Sequence, residues 1–237
     1  MAKKSRTPPP PRKVQAPKRR AEPRTLDERR KYYVLLGVAA AGLIGVAVVL
    51  AVVLTAGGGG GGGGVAAAMR KAGCTFQETP ATRAGLHIGS VTAKVKYDTY
   101  PPVSGYHFGR PAIWGNYNQP VDPRLAVHNE EHGGVIVWYG PKVSPEQRQK
   151  ISDFYDESPD AMLVTPLENS TQGIAFPPHR PLGDRIALSA WVTGGKRDKN
   201  VISVCPRVNL EAFRKFRDAF RGLGSERIPV SSNTPGT

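Results

Sequence analysis

The chain has 237 residues, with 33 Lys or Arg against 19 Asp or Glu and a formal net charge of +14. That excess is local: residues 1–31 hold 12 basic and three acidic residues, so residues 32–237 carry only +5, which excludes a polyanion-binding surface as the reading for the bulk of the chain. Two cysteines with no Cys-x-x-Cys spacing exclude a dithiol redox centre.

Residues 1–31 are basic and proline-rich, with Pro8–Pro11 in a row. Such a segment cannot bury a core and is expected to be a disordered cytoplasmic tail. It lacks interleaved aromatics for base stacking, so its expected partner is the anionic surface of a lipid bilayer and not nucleic acid. Tyr32–Ala56 follows, 25 residues without a charge. About 20 apolar helical residues cross a bilayer core, so this run predicts one N-terminal transmembrane helix. A cleaved signal peptide is the competing reading, and Leu54-Thr-Ala56 resembles a cleavage sequence, but the apolar region of such peptides is only about 7–15 residues. The positive flank predicts a cytoplasmic N-terminus and an extracytoplasmic C-terminal domain. Gly37, Ala41 and Gly45 give the span one small-residue face, the kind that permits close helix pairing.

Eight glycines, Gly57–Gly64, open a segment (57–73) read as a flexible linker, within which Val65–Lys71 is placed to begin a short helix. Residues 74–229 are long enough for one domain with a real core, and 230–237 (VSSNTPGT) reads as a frayed tail. Val91, Ala93, Val95 and Tyr97 alternate with polar residues and predict a half-buried strand. Residues 100–123 are rich in Pro and Gly and predict a long ordered loop. Val135–Tyr139 (VIVWY) is continuously apolar, as in a central strand. Ser144-Pro145-Glu146-Gln147 is a helix start, with Ser as cap, Pro in the first turn and Gln placed to close a capping box. Ile151, Phe154 and Tyr155 give that helix its apolar stripe. Strands are predicted over 161–167 and 186–193. A last helix runs from about Leu210 to Arg221, with Asn209 as cap, Leu210, Phe213, Phe216 and Phe220 inward, and Arg214, Arg217 and Arg221 outward. The expected fold class is α+β, a mixed or antiparallel sheet packed by helices, in an element order that would also suit a thioredoxin-like sheet.

Cys74 and Cys205 stand near the two ends of the domain, and an oxidising compartment favours a disulfide between them. Four histidines, His87, His107, His128 and His132, precede the central strand. His128 and His132 in HNEEHGG stand four apart, which on a helix puts both rings on one face in the manner of a two-histidine metal clamp. Glu131 completes the string H-x-x-E-H. The glycines that follow at once, and the absence of an evident downstream ligand, weaken the protease reading. The candidate metal ligands are His87, His107, His128, Glu131 and His132. The candidate cofactor is one transition-metal ion, zinc or copper. The competing reading is structural, with the histidines bonding loop backbone. His179, in FPPHRP, reads as solvated.

YDTYPPVSGYHFGRPAIWGNY, AVHNEEHGGVIVWYG and ALSAWV, in that order, resemble the domain of unknown function 3105 family. Residues His87, Tyr97, Pro101, Pro102, Ser104, Gly105, His107, Gly115, Tyr117, His128, Asn129, Glu131, His132 and Gly133 carry the resemblance, which spans roughly 74–222. It implies a membrane-anchored bacterial protein and brings no established reaction. Glu130 departs from it, standing where an apolar residue is expected and putting a fully buried helix over 128–132 in question.

Three functions compete. One is an extracytoplasmic metal-binding domain. The second is a non-catalytic envelope module that binds another protein through Tyr100, Tyr106, Trp114 and Tyr117. The third is a metal-dependent hydrolase with Glu131 as its base, the one candidate catalytic residue. No phosphate-binding glycine loop and no G-x-S-x-G elbow occurs.

Overall fold

A computed structural model describes residues 61–237 apart from Lys196. The expected tail (1–31) and spanning helix (32–56) lie outside the described residues, and no helix within them is long and apolar enough to cross a membrane. The elements run α1 (Gly61–Lys71), β1 (Gln77–Pro80), β2 (His87–Ile88), β3 (Val95–Lys96), β4 (His107–Phe108), β5 (Gly115–Asn116), α2 (Pro123–Glu131), β6 (Val135–Tyr139), α3 (Pro145–Asp156), β7 (Met162–Pro166), β8 (Ile174–Ala175), β9 (Ile186–Val192), β10 (Lys199–Cys205) and α4 (Leu210–Phe220).

Six strands form one mixed sheet in the order β1-β10-β9-β6-β7-β5. Strands β5, β6 and β7 are parallel, while β9 runs antiparallel to β6, β10 to β9 and β1 to β10. The fold is therefore α+β, as the patterning predicts. Strand β6 is buried along its whole length because both faces of the sheet are covered. On one face Val135, Val137 and Tyr139 pack with Met69 of α1, Phe154 of α3 and the Phe213–Phe216–Phe220 stripe of α4. On the other, Ile136 and Trp138 pack with Ala126 of α2, Trp114 and Leu182.

Several local expectations change. The helix expected over Val65–Lys71 begins earlier, at residue 61 within the glycine run, and packs on α4 with Val65, Ala66 and Met69 buried. The strand expected over 91–97 shrinks to β3, which pairs with β8 over two residues only, and Val91 is 75% exposed. Strand β10, which carries Cys205, was not expected. In α3, Ser144 Oγ accepts the Gln147 N–H at 3.3 Å, but the reciprocal half of the capping box is replaced. Gln147 Oε1 instead accepts the Val208 N–H at 2.7 Å and ties down the approach to α4. Asn209 caps α4 through Ala212 N–H at 3.0 Å, as its sequence predicts. Arg217 is not outward: it is buried, with its guanidinium 5.2 Å from the centre of the Phe154 ring. Nor is the segment 230–237 frayed. Asn233 O accepts the Ala161 N–H at 2.7 Å, and Trp114 exchanges backbone hydrogen bonds with Gly236 and Thr237.

Cys74 and Cys205 form a disulfide that links the end of α1 to the last residue of β10 across 131 positions. Closing so long a loop restricts the unfolded chain. The double replacement Cys74→Ser/Cys205→Ser is expected to lower stability by about 2–4 kcal/mol, read as an earlier denaturant midpoint.

Candidate metal centre

Helix α2 is short and heavily constrained. Asp122 caps it by accepting the Arg124 N–H at 2.8 Å, and Pro123 occupies the first turn. The Arg124 guanidinium returns to Asp122 and also donates to the carbonyls of Val91 and Ala93, fastening the helix start to the loop before β3. The helix stops at His132 because Gly133 takes a φ of +90° and the chain turns directly into β6. The segment after α4 lies against this end: Gly222 N–H donates to Gly133 O, and Glu226 N–H to Glu131 O. A Cβ on Gly224 would fall 2.1 Å from Gly133 N, so only glycine permits the approach.

Within α2, His128, Glu131 and His132 fall at i, i+3 and i+4 and share a face. Asn129 points elsewhere. Its side chain accepts the Ala112 N–H at 2.9 Å and donates to the Ala112 carbonyl at 2.9 Å, anchoring the long loop. Glu130 points to the sheet and is fully buried, so the helix is buried through this position despite its charge-bearing residue. Ser189 Oγ donates to Glu130 Oε1 and accepts the Trp138 Nε1–H at 2.7 Å. Burial pushes the Glu130 carboxyl well above its ordinary value, against the smaller opposing pull of Ser189, so it stays neutral.

The other ligand candidates arrive on strands. β2 and β4 pair in parallel over two residues, with His87 directly opposite His107. Gly105, at a φ of +123°, turns the chain so that its carbonyl accepts the His107 Nδ1–H at 2.6 Å. His128 Nδ1 donates in the same way to Phe108 O at 2.7 Å. A carbonyl can only accept, so both Nδ1 atoms carry their protons and both Nε2 atoms are left for the centre. Metal-ligating histidines are oriented in this manner.

Four groups converge. One ligating atom from each of His87, His107, His128 and Glu131 lies within 4.8 Å of the others. Glu131 Oε1 accepts the Gly85 N–H at 2.6 Å, which turns Oε2 toward His107 Nε2 at 2.8 Å and His87 Nε2 at 3.2 Å. The ring centres of His87, His107 and His128 are 4.9, 5.1 and 5.1 Å apart. Three imidazoles on one tetrahedral ion, each at about 2.0–2.1 Å, would have centres about 5 Å apart. His107 and Glu131 are buried and His87 lies at the rim, its side chain 41% exposed.

His132 does not join this set. Its Nε2 lies 3.0 Å from His128 Nε2 and 2.9 Å from an oxygen of Glu226, forming a second group of His128, His132 and Glu226. Sequence reasoning missed Glu226, whose loop (GLGSER) carries no periodic signal, only the glycines that allow it to dock. His179 is remote from the cluster in its contacts. Its ring centre lies 3.7 Å from that of Tyr100 and its Nδ1 bonds Pro177 O, so it is packed and not simply solvated. Of the aromatics considered for an exposed contact, Trp114 is buried and only Tyr106 is largely exposed, at 51%.

Burial alone would raise the Glu131 carboxyl, but its contacts with the His107 ring, the Gly85 N–H and the His87 ring outweigh it and hold the group at about 2. Burial lowers His128 below its ordinary value, with the Phe108 carbonyl opposing, which keeps its Nε2 lone pair free. A carboxyl held so low is a weak proton acceptor at neutral pH, which counsels against a general-base role for Glu131. A depressed carboxyl contributes stability that is complete above its ordinary value and is lost as pH falls through its folded one. The wild-type chain is therefore expected to lose stability between pH 4.5 and about 2 more steeply than Glu131→Gln, in acid unfolding followed by circular dichroism.

Comparison with known proteins adds a family and nothing narrower. No curated protein and no solved structure matches the chain. A family model described as "Protein of unknown function (DUF3105)" matches residues 90–199, a stretch that holds His107, His128, Glu131 and His132 and leaves His87 and Glu226 outside. Over residues 90–199, then, the chain carries the domain of unknown function 3105.

Proposed function

We propose that this domain binds one divalent transition-metal ion through His87, His107, His128 and Glu131. The observation that carries the reading is the pair of Nδ1–H bonds to the Gly105 and Phe108 carbonyls. Those bonds leave the Nε2 atoms of His107 and His128 as inward-facing ligands beside a buried carboxylate. Three nitrogens and one oxygen, without sulfur, suit zinc, copper(II) or another divalent first-row ion better than copper(I), because both cysteines are tied up in the disulfide.

In this reading the ion is bound and held, and Glu131 serves as a ligand. The strand order β7-β6-β9-β10, with α3 between β6 and β7 and α4 after the β9–β10 hairpin, supports a thioredoxin-like framework adapted to a different chemistry. The domain would stand outside the cell, anchored by Tyr32–Ala56 with the basic tail on the cytoplasmic lipid surface. The disulfide supports that placement.

The full chain, stripped with chelator and titrated with Zn²⁺, is expected to take up one ion. His107→Ala and His128→Ala should each weaken uptake by about 100-fold or more, read by calorimetry. Wild-type protein that takes up no divalent ion would remove the proposal. A C-terminal tag digested by protease added to intact spheroplasts is the expected sign of the outward placement, and a protected tag the contrary one.

A further inference from the structure

The two ligand groups share a residue, and the shared residue has only one ligating atom. His128 Nδ1 is committed to Phe108 O at 2.7 Å, so Nε2 alone can bind a metal. Yet His128 belongs both to the set with His87, His107 and Glu131 and to the set with His132 and Glu226. An imidazole nitrogen has one lone pair in the ring plane and holds one ion at a time. The two positions therefore compete for His128 and cannot both use it.

They also differ in depth and denticity. The inner position offers three nitrogens and one oxygen, with the His107 and Glu131 side chains 0% and 1% exposed. The outer offers two nitrogens and one oxygen, with His132 and Glu226 side chains 18% and 37% exposed. His132 caps the C-terminal end of α2, and Glu226 sits on the segment after α4 that docks against that end. Neither residue has another side-chain partner among the described residues beyond this group.

We propose that His128 is the pivot of a metal relay. A divalent ion is captured in the exposed position by His132, Glu226 and His128, then passes to the buried position while His128 stays bound, exchanging His132 and Glu226 for His107, His87 and Glu131. The step is ligand substitution alone: no electron or covalent bond is transferred. Release is the reverse passage, so the outer pair governs how fast the ion exchanges and the inner set governs how tightly it is held. This inference rests on the metal-binding reading above.

The test uses the full chain and Co²⁺, whose visible spectrum separates tetrahedral from six-coordinate binding. Wild-type chain is expected to load one Co²⁺ with a tetrahedral spectrum. His132→Ala/Glu226→Gln, changed only at the rim, should still load one Co²⁺ but do so about tenfold more slowly, and release it to a chelator more slowly by a similar factor, in stopped-flow mixing. His107→Ala should lose the tetrahedral spectrum and keep a weak six-coordinate site that disappears when His132→Ala is added. Two Co²⁺ per wild-type chain would overturn the relay in favour of two independent sites. Unchanged loading and release rates in His132→Ala/Glu226→Gln would overturn it in favour of direct entry past His87. Wild-type chain that binds no Co²⁺ would fail the underlying reading itself, an outcome separate from the other two.

Discussion

A buried carboxylate beside two imidazoles needs a positive charge, and the arrangement of this site follows from that need. Glu131 is ionised and its side chain is almost inaccessible to water. An uncompensated charge in such a place costs several kcal/mol. The usual remedy would be a neutral histidine turning an N–H toward the carboxylate. His107 cannot do this in its neutral form, because its one proton is already committed to the Gly105 carbonyl. The 2.8 Å contact between His107 Nε2 and Glu131 is therefore one that a cation held between them would complete. The backbone thus builds a cavity for positive charge, and the second carbonyl, that of Phe108, extends the same logic to His128.

This positioning depends on elements too short to stand alone. The β2–β4 ladder is two residues long and α2 is nine. Neither would persist in isolation. They hold because α2 is pinned on every side: Arg124 to the loop before β3, Asn129 to Ala112, Glu130 to Ser189 on the central sheet, and Gly133 to the segment after α4. The disulfide and the docked C-terminal segment reinforce the same scaffold from the far ends of the chain. Rigid support of this kind is what a ligand set requires if its geometry is to survive without the ion.

The parts of this molecule legible in the sequence are those where local chemistry decides. VIVWY is buried on both faces, Ser144-Pro145 starts a helix, Asn209 caps another, and the Phe213–Phe216–Phe220 stripe turns inward. The four-residue spacing of His128 and His132 does put them on one face of a helix. What spacing could not convey is that His128 Nε2 is shared by two ligand groups while His132 Nε2, 3.0 Å away, belongs to the second alone. That division is set by tertiary pairing, His87 opposite His107 and Glu226 docked by glycines. The inward Arg217 and the ordered 230–237 have the same explanation: each obeys a packing partner remote in sequence and contradicts its local pattern.

The adjacent glutamates show how finely one turn of helix can separate opposite electrostatic roles. Glu130 and Glu131 are both buried, but about 100° of helical rotation sends one to the sheet and the other to the histidines. Glu130 meets only the Ser189 hydroxyl and apolar walls, so desolvation wins and it is neutral. Glu131 meets a backbone N–H and two imidazole rings, so those contacts win and it is charged. The neutral neighbour matters to the site: a second negative charge one residue away would repel Glu131 and bind cations of its own. Ser189 Oγ can serve Glu130 Oε1 and accept from Trp138 at once, so the neutral carboxyl also joins α2 to two strands of the sheet. Glu130 thus stands where a carboxyl can be buried without charge, and the helix keeps its place because that carboxyl takes the neutral form.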